Sequence, residues 1–363
     1  MAAKLKVLCF HPALAPYRVD FFNALAKRFK LHLVLLSKNL LNQKFDQQSL
    51  VAKMTCRISY LLSGVVVGGR HFKFGFGRYI KADHPDVVIG FEFGWTIVAV
   101  YLNRLILRGK YQIYTTTDDN EEQFALCRGI RRFLRNWLLR RIEGVIVTNE
   151  ASAACIHRIT NKCKAMVVPI IYDNEIIRRD EVSVFGAAKK WREENLRSGE
   201  FAAFFVGRLA EVKNLEWLIA RVLDVRWPRN VRLFLVGDGP IKERLEWMAS
   251  KDVLLSSRIQ FLGRKEGDEL QKYFAAEDVF ILPSQSETFG AVVSESLHWG
   301  ARCLVSRHVG AKDLVRETNG GYVFDDEDEL YEKLDRLIAE LDDWQPGRPS
   351  LIKKSVSEYI VEF

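Results

Sequence analysis

A short apolar run, a polar loop and a helix in succession constrain the fold of this chain most. Val279-Phe280-Ile281-Leu282 is typical of a buried strand, and Pro283 ends it. The residues from Gly290 to Leu297 have helical spacing and stop near Gly300. A strand joined to a helix by a loop is the unit of an open parallel α/β sheet, and such loops lie at the sheet edge where ligands bind.

Two carboxylates frame this loop. Glu287 lies within it, and Glu295 lies in the predicted helix that follows. The amides of Phe289, Gly290 and Ala291 begin that helix, have no partner inside it and can bind an anion. Carboxylates accept hydrogen bonds from paired hydroxyls, so two of them at a fixed separation can hold two sugar rings of one ligand. The alternative is two solvated carboxylates beside an ordinary helix start.

Length and charge indicate two domains with different partners. The 363 residues are long for a single core and natural for two. Residues 1–180 carry 28 Lys and Arg against 14 Asp and Glu, a balance of +14, and the remaining residues carry 26 against 32, a balance of −6. The basic half therefore predicts an anionic partner.

Neither the cysteines nor the apolar segments indicate a secreted or membrane-spanning protein. The six cysteines form no Cys-x-x-Cys pair and no zinc-type grouping with histidine, which predicts a reducing compartment and no metal site. Leu5–Phe10 is too short for the apolar core of a signal peptide, and Phe93–Leu102 is about half the ~20 residues that a spanning helix needs. We expect a cytoplasmic protein without cofactor or metal.

Two loops of the first half carry candidate ligand-binding residues. Tyr17 and Arg18 follow the first predicted strand, and Asp118 and Asp119 follow a later strand at 111–115. Both loops fall at the carboxyl end of a strand, which places the four side chains at a ligand-facing position. The alternative is that they cap the helices that come next.

An arginine-rich helix is predicted from Arg128 to Arg141. Its arginines are expected on or beside one face, with the apolar residues at helical spacing on the other side: Arg128, Arg131, Arg132 and Arg135 against Ile130, Phe133, Leu134, Trp137 and Leu138. A basic amphipathic helix with tryptophan can lie on an anionic membrane surface, which would suit a lipid-linked acceptor on the inner membrane face. The alternative is a packed helix with an arginine-rich outer face.

Three further predicted strand ends in the second half carry glycine and cationic residues. They are Gly207-Arg208 with Lys213, Gly237-Asp238-Gly239, and Gly263-Arg264. Arginine binds two oxygens with a planar fork and lysine supplies a mobile point charge, a combination suited to a diphosphate. Glycine permits close backbone approach, so a nucleoside can pack there.

Together these motifs resemble the retaining glycosyltransferases of the GT-B fold, glycosyltransferase family 4 type, also called glycosyl transferases group 1. The likeness is carried by Pro-Ser-x-x-Glu-x-Phe-Gly-x-x-x-x-Glu from Pro283 to Glu295 and by the Gly-Arg-Leu-x-x-x-Lys loop from Gly207 to Lys213. It covers residues 200–330 strongly and residues 1–180 weakly. It implies an α/β fold of two Rossmann-like domains facing across a cleft.

The resemblance also implies roles for individual residues. Glu295 would hold the ribose of a nucleotide-sugar, and Glu287 would orient the donor hexose. Arg208 and Lys213 would neutralise the departing diphosphate, so these two and Glu287 are the expected catalytic residues. The other donor-binding residues would be Ser284, Phe289, Gly290, Gly207, Gly237, Gly239 and Arg264.

The first half departs from the family pattern. Many relatives place a histidine in the loop that here reads Thr115 to Asn120, and we expect Asp118 or Asp119 to take over part of its role. Together with Tyr17 and Arg18 they are candidate acceptor or sugar contacts. The implied domains are 1–173 on the acceptor side, a linker at 174–186, a nucleotide-sugar domain at 187–345, and a tail at 346–363 that crosses back to the first domain.

The predicted reaction is transfer of a sugar, with retention, to a hydroxyl of a glycan or lipid-linked acceptor in polysaccharide or glycolipid synthesis. One alternative is another GT-B enzyme, such as a sugar-nucleotide epimerase. The other is a noncatalytic basic module that binds membrane or nucleic acid through the Arg128–Arg141 helix. Donor-type residues at four separate loops favour the enzyme, and we expect no nucleic-acid partner.

Overall fold

The computed structural model describes residues 4–39, 45–67, 70–251 and 257–362. The chain divides into two α/β units. The first unit comprises Met1–Ile171 together with Lys354–Phe363, and the second comprises Tyr172–Lys353. The sequence Gly68-Gly69-Arg70 favours a turn over an anion-binding loop, and its residues 68 and 69 lie outside the described ranges.

The first unit is built on a parallel sheet in the order β3-β2-β1-β6-β7-β8-β9, with a separate antiparallel hairpin β4-β5. The strands are β1 Lys6–His11, β2 Lys30–Leu35, β3 Arg57–Tyr60, β4 Gly64–Val67, β5 Arg70–Lys73, β6 Val87–Phe91, β7 Gln112–Thr116, β8 Gly144–Val147 and β9 Lys164–Val167. The helices are Pro16–Arg28, Gln47–Ala52, Phe76–Asp83, Trp95–Ile106, Glu121–Leu126, Gly129–Leu139, Glu150–Ile159 and Val356–Tyr359.

Strand β1 shows why this sheet forms. Val7 to Phe10 are all buried, because a parallel strand covered on both faces by helices needs an unbroken apolar run. Leu8 pairs with His32 of β2 on one side and with Val88 of β6 on the other. The ends of β1, β6 and β7 therefore meet at one sheet edge, which brings together the loops predicted to carry ligand-binding residues.

The second unit contains a six-stranded parallel sheet in the order β12-β11-β10-β13-β14-β15. Its strands are β10 Phe201–Val206, β11 Val231–Val236, β12 Ile259–Gly263, β13 Val279–Leu282, β14 Arg302–Ser306 and β15 Gly321–Phe324. Its helices are Asn174–Ile177, Glu181–Asn195, Leu215–Val222, Lys242–Ser250, Gly267–Ala276, Ala291–His298, Lys312–Glu317 and Glu327–Glu340, with a 3₁₀ turn at Glu211–Lys213. The predicted linker region 174–186 thus contains helical residues.

An aromatic layer holds the middle of the second sheet. Phe204 of β10 is opposite Phe234 of β11, and their rings stack with centroids 5.0 Å apart. Trp191 of helix Glu181–Asn195 packs edge-on against Phe234 at 4.9 Å. Because these rings are fully or nearly fully buried, they fix the strands whose ends carry the polar motifs.

Within the described ranges, no helix is both long and apolar enough to cross a membrane. All six cysteines are free thiols.

Candidate active site

The four motif-bearing strands of the second unit are neighbours in its sheet, in the order β12-β11-β10-β13. The chain runs from β10 outwards to β12 and then returns to place β13 on the other side of β10. This reversal of strand order is the switch point at which α/β sheets bind ligands, beyond the carboxyl ends of the strands. The four predicted loops therefore meet where a ligand is expected.

Backbone hydrogen bonds join three of these loops into one surface. The Gly207 amide donates to Val236 O at 2.9 Å, and the Gly237 amide donates to Gly263 O at 2.9 Å. A Cβ on Gly237 would lie 1.8 Å from Gly207 O, and a Cβ on Gly239 would lie 2.2 Å from Leu209 O. These two glycines are thus required by the packing of one loop on the next, a reason that the sequence alone does not reveal.

Substitution of Gly237 is therefore expected to destabilise the folded protein. We expect Gly237→Ala to lower the free energy of unfolding by roughly 3 kcal/mol, because its Cβ meets backbone that cannot move aside as a side chain could. Urea unfolding measures the change. The matched control is Gly186→Ala inside helix Glu181–Asn195, where no atom lies within 4 Å and a gain of roughly 0.5–1 kcal/mol is expected. Equal stability of Gly237→Ala and the unmodified protein would contradict the packing argument.

Lys213 and Glu287, which are 74 positions apart, form an ion pair at the switch point. Their side chains are 17% and 18% exposed, so the pair is mostly shielded from water. Lys213 ends a 3₁₀ turn that is closed by Asn214 in the left-handed conformation, with φ of 58°. Asparagine is among the non-glycine residues that tolerate this conformation best.

Arg208 precedes Lys213 by five residues in the loop after β10 but differs from it in its surroundings. Its side chain is exposed, and it makes no hydrogen bond or ion pair with any part of the chain that the structure describes. An exposed cation without a partner among the described residues can bind an anionic ligand without breaking a contact.

The loop that carries Glu287 is held by the loop after β14. The Glu287 amide donates to His308 O at 3.1 Å, and the Ala311 amide donates to Phe289 O at 2.7 Å. Phe289 is 1% exposed, so its ring is part of the core rather than a surface for a ligand. Gly290 has a φ of 92°, and a Cβ there would lie 3.1 Å from the Leu282 side chain. The loop conformation is therefore determined by its neighbours.

Ser284 and Arg264 complete the predicted donor contacts. Ser284 is buried, its carbonyl accepts a 2.5 Å hydrogen bond from Ser306 Oγ, and its own Oγ has no partner among the described residues. Arg264 is 72% exposed and pairs with Glu266 at the end of the edge strand β12. Arg264 thus already has a partner, unlike Arg208.

Glu295 lies in helix Ala291–His298 and is half-buried. Burial raises its pKa to about 7, and a hydrogen bond from the Tyr172 side chain opposes this rise. No lysine or arginine of the described chain forms an ion pair with it. Tyr172 is not among the residues predicted from the sequence, because nothing in its local pattern indicates a contact with Glu295, 123 residues away.

The sheet edge of the first unit holds a second group of polar residues. Arg18 and Asp118 form an ion pair in which the arginine is buried, and Tyr17 is half-buried beside them. Burial and Asp118 raise the pKa of Asp119, while Arg135 opposes the rise. The capping alternative is wrong, because Asn120 caps helix Glu121–Leu126 and no side chain caps helix Pro16–Arg28.

Two further polar residues lie at this edge and were not predicted as site residues from the sequence. His11 ends β1 and is 6% exposed, and burial together with Arg18 lowers its pKa to about 3. Glu92 follows β6 with a φ of 53°; its carboxyl group is partly desolvated and lies near Asp119 and Asp118, which raises its pKa to about 7. His11 and Glu92 both lie at the carboxyl ends of strands, so the criterion that predicts Asp118 as a ligand-facing residue applies to them as well.

The arginine-rich helix differs from its predicted division into two faces. It spans Gly129–Leu139, and Arg135 is buried, donates to Phe124 O at 3.2 Å and stacks on the Phe124 ring. Ile130 and Phe133, expected on the apolar packed side, are 83% and 70% exposed. The reason is that only the later part of the helix packs on the sheet, so its first turns present apolar and basic side chains together.

No group of three or more His, Cys, Asp or Glu that could hold a metal ion occurs within the described ranges.

The second unit matches a known family model. Residues 200–340 match the model described as Glycosyl transferases group 1. Sulfoquinovosyl transferase SQD2 of Arabidopsis thaliana is 38% identical over 116 residues, which cover 32% of this chain and 21% of that protein. Alpha-monoglucosyldiacylglycerol synthase of Streptococcus pneumoniae is 24% identical over 233 residues, or 64% of this chain and 51% of that protein. The chain therefore spans about a fifth to a half of the length of these curated relatives.

Solved structures resemble the whole chain. Anabaena Alr3699/HepE in complex with UDP has a TM-score of 0.72 and 16% identity, with 99% of both chains covered. The lipopolysaccharide outer core galactosyltransferase WaaB, in its apo form, has a TM-score of 0.69 and 14% identity, with 98% of both chains covered. At these identities the likeness establishes the fold alone. Residues 200–340 of this chain are thus similar to the glycosyl transferases of group 1, and its two Rossmann-like α/β units have the GT-B fold.

Proposed function

We propose that this protein is a retaining glycosyltransferase that moves a sugar from a nucleotide-sugar to a hydroxyl of a glycan or lipid-linked acceptor. The observation that carries the proposal is the meeting of Lys213 and Glu287 at the switch point of the second sheet, with Arg208, unpaired among the described residues, in the same loop as Lys213. Related proteins support the substrate class, since HepE was solved with UDP and the matched relatives include a sulfoquinovosyl transferase and an alpha-monoglucosyldiacylglycerol synthase.

The proposed chemistry assigns one task to each group. As the bond between sugar and diphosphate breaks, negative charge develops on the departing diphosphate. Arg208, Lys213 and the first amides of helix Ala291–His298 would stabilise that charge electrostatically. Glu287 would hold the donor hexose and Glu295 the ribose. Glu287 is not assigned a nucleophilic role of the kind found in retaining glycosidases, because its carboxylate is paired with Lys213.

A donor panel tests the proposal. UDP-, GDP- and ADP-sugars are added in thermal-shift and calorimetric assays, and the best donor is then incubated with candidate hydroxyl acceptors. A ligand at ~100 times its dissociation constant adds ~2.7 kcal/mol of apparent stability. NMR of the anomeric proton in the product distinguishes retention from inversion. Binding of no nucleotide-sugar in the panel would overturn the proposal, and a sugar-nucleotide epimer formed without an acceptor would show the epimerase alternative instead.

A specific surface favours a further contact with an anionic membrane. Leu126, which ends helix Glu121–Leu126, is 71% exposed, and Ile130 and Phe133 of the arginine-rich helix are 83% and 70% exposed. Arg128, Arg131 and Arg132 are exposed between them. Apolar side chains that can enter the acyl boundary, next to cations that attract lipid phosphates, are the pattern of an interfacial helix. We propose that this surface binds the membrane that carries a lipid-linked acceptor.

Replacing both apolar side chains tests this surface. We expect Ile130→Ser with Phe133→Ser to weaken binding to vesicles that contain phosphatidylglycerol by roughly tenfold or more, because each buried side chain contributes roughly 1.5–3 kcal/mol. Vesicle co-sedimentation measures the loss. Val225→Ser, at an 85% exposed position of the second unit, is the control and should bind as the unmodified protein does. Unchanged sedimentation of the double variant would exclude this helix as the membrane contact.

A further inference from the structure

The segment that begins the second unit is fastened along the helix that carries Glu295. The Tyr172 side chain hydrogen-bonds the Glu295 carboxylate. His298 Nδ1 donates to Asn174 Oδ1 at 3.0 Å, and Arg178 Nη1 donates to His298 O at 3.1 Å. Because Glu295 and His298 are three residues apart, they lie on one face of helix Ala291–His298. Residues 172–178 therefore bind the face of the helix that presents Glu295.

In this contact the His298 ring is buried and uncharged, and Arg178 is held at two points. His298 is completely buried, and burial together with Arg178 lowers its pKa to about 3, so the ring carries no charge near neutral pH. Arg178 is bound at a second point, where its Nη2 donates to Arg348 O at 2.7 Å. The position of Tyr172 is thus determined by its neighbours in the segment rather than by Glu295 alone.

We propose that Tyr172 is a positioning residue of the donor site, whose hydroxyl holds the Glu295 carboxylate in the charged, oriented form that accepts ribose hydroxyls. This inference rests on the proposed function, because it takes Glu295 as the ribose ligand. A carboxylate accepts hydrogen bonds through both oxygens, so one oxygen bound to Tyr172 leaves the other lone pairs available to a ligand.

The charged groups around Glu295 explain why the Tyr172 hydroxyl affects the pKa of this carboxyl group. Burial holds the pKa of Glu277, the other acidic group that faces Glu295, well above its ordinary value, and a carboxyl group can offer Glu295 no positive charge in either protonation state. The nearby cations have other partners: Arg178 pairs with Glu181, and Arg348 donates to Glu277 O. Burial has raised the pKa of Glu295 to about 7, and the Tyr172 hydrogen bond is the contact that opposes it. Removing that hydroxyl raises the pKa further and favours the neutral acid at pH 7.

A pH series of donor binding tests the inference. The probe is whichever of UDP-glucose, GDP-mannose and ADP-glucose binds the unmodified protein most tightly, because a diphosphate diester has no proton of its own that titrates near neutrality. In the unmodified protein, affinity should rise with pH through about 7 as Glu295 ionises. In Tyr172→Phe the rise should move to higher pH, so that affinity is roughly tenfold weaker at pH 6.5 and nearly equal at pH 9.

Two controls separate this inference from the proposed function. Tyr331→Phe removes a hydroxyl that donates to Arg221 O at 3.3 Å in the same unit, and it should leave the pH profile unchanged. Glu295→Ala should bind weakly at every pH. If Glu295→Ala is weak but Tyr172→Phe keeps the unmodified profile, or is weakened equally at every pH, the role of Tyr172 is refuted and the donor site stands. If Glu295→Ala binds donors normally, the proposed ribose contact fails and the inference fails with it.

Discussion

Arg208→Ala is expected to weaken nucleotide-sugar binding by roughly 10- to 100-fold, the effect of losing a charge-assisted hydrogen bond worth about 1.5–3 kcal/mol. The ligand-free fold should not change, because Arg208 is exposed and contacts no described side chain through a hydrogen bond or ion pair. Calorimetric titration of the best donor of the panel measures the affinity, and urea unfolding without ligand verifies that stability is retained.

Arg264→Ala provides the matched comparison. It removes the same type of side chain from the end of β12 in the same sheet, but Arg264 already pairs with Glu266 and is 72% exposed. We expect a smaller loss of affinity there, because an exposed paired arginine contributes little to an ionic contact. If the two variants lose affinity equally, Arg208 has no special place in the diphosphate site. If neither loses affinity, the diphosphate binds elsewhere.

Glu287→Gln should lower turnover without lowering the affinity for the nucleoside diphosphate. Transfer is expected to fall by roughly 100-fold, because the donor hexose loses the carboxylate that orients it for reaction. Affinity for the free nucleoside diphosphate should stay equal or increase, because Lys213 no longer pairs with a charged carboxylate and becomes available to the phosphates. Initial rates of transfer and calorimetry with the nucleoside diphosphate measure the two quantities separately.

Lys213→Met distinguishes this account from simple loss of structure. That variant keeps much of the side-chain volume but removes the charge, so both turnover and diphosphate affinity should fall together. The ion pair is mostly shielded, and breaking either side affects folding, so each variant is first compared by thermal unfolding without ligand. A parallel loss of diphosphate affinity in Glu287→Gln and Lys213→Met would contradict the proposal that Glu287 restrains Lys213 in the free protein.

Local pattern was enough to locate the elements that carry the site. Strand β13 is predicted at Val279–Leu282 and is found there. Four consecutive apolar residues before proline, mostly β-branched or aromatic, favour a buried strand. The GT-B fold was likewise predicted and confirmed. Once the strands are known to be parallel, their carboxyl ends must share an edge, so the motif loops of each unit could be grouped without knowledge of any side-chain contact.

Which side chains pair with one another could be determined only from the tertiary structure. The pairs Lys213 with Glu287, Arg18 with Asp118 and Tyr172 with Glu295 join positions far apart in the chain, and each depends on strand order and helix placement.

The sequence by itself determined the fold class, the strand ends and the types of chemistry available there, because apolar periodicity and the loops that interrupt it are local properties. Only the tertiary structure decided which polar groups meet, why Gly237 cannot carry a side chain, and that Arg135 is buried while Ile130 and Phe133 are exposed. The physical reason is that helical periodicity separates faces but does not say how much of a helix packs on the sheet, and burial follows that packing.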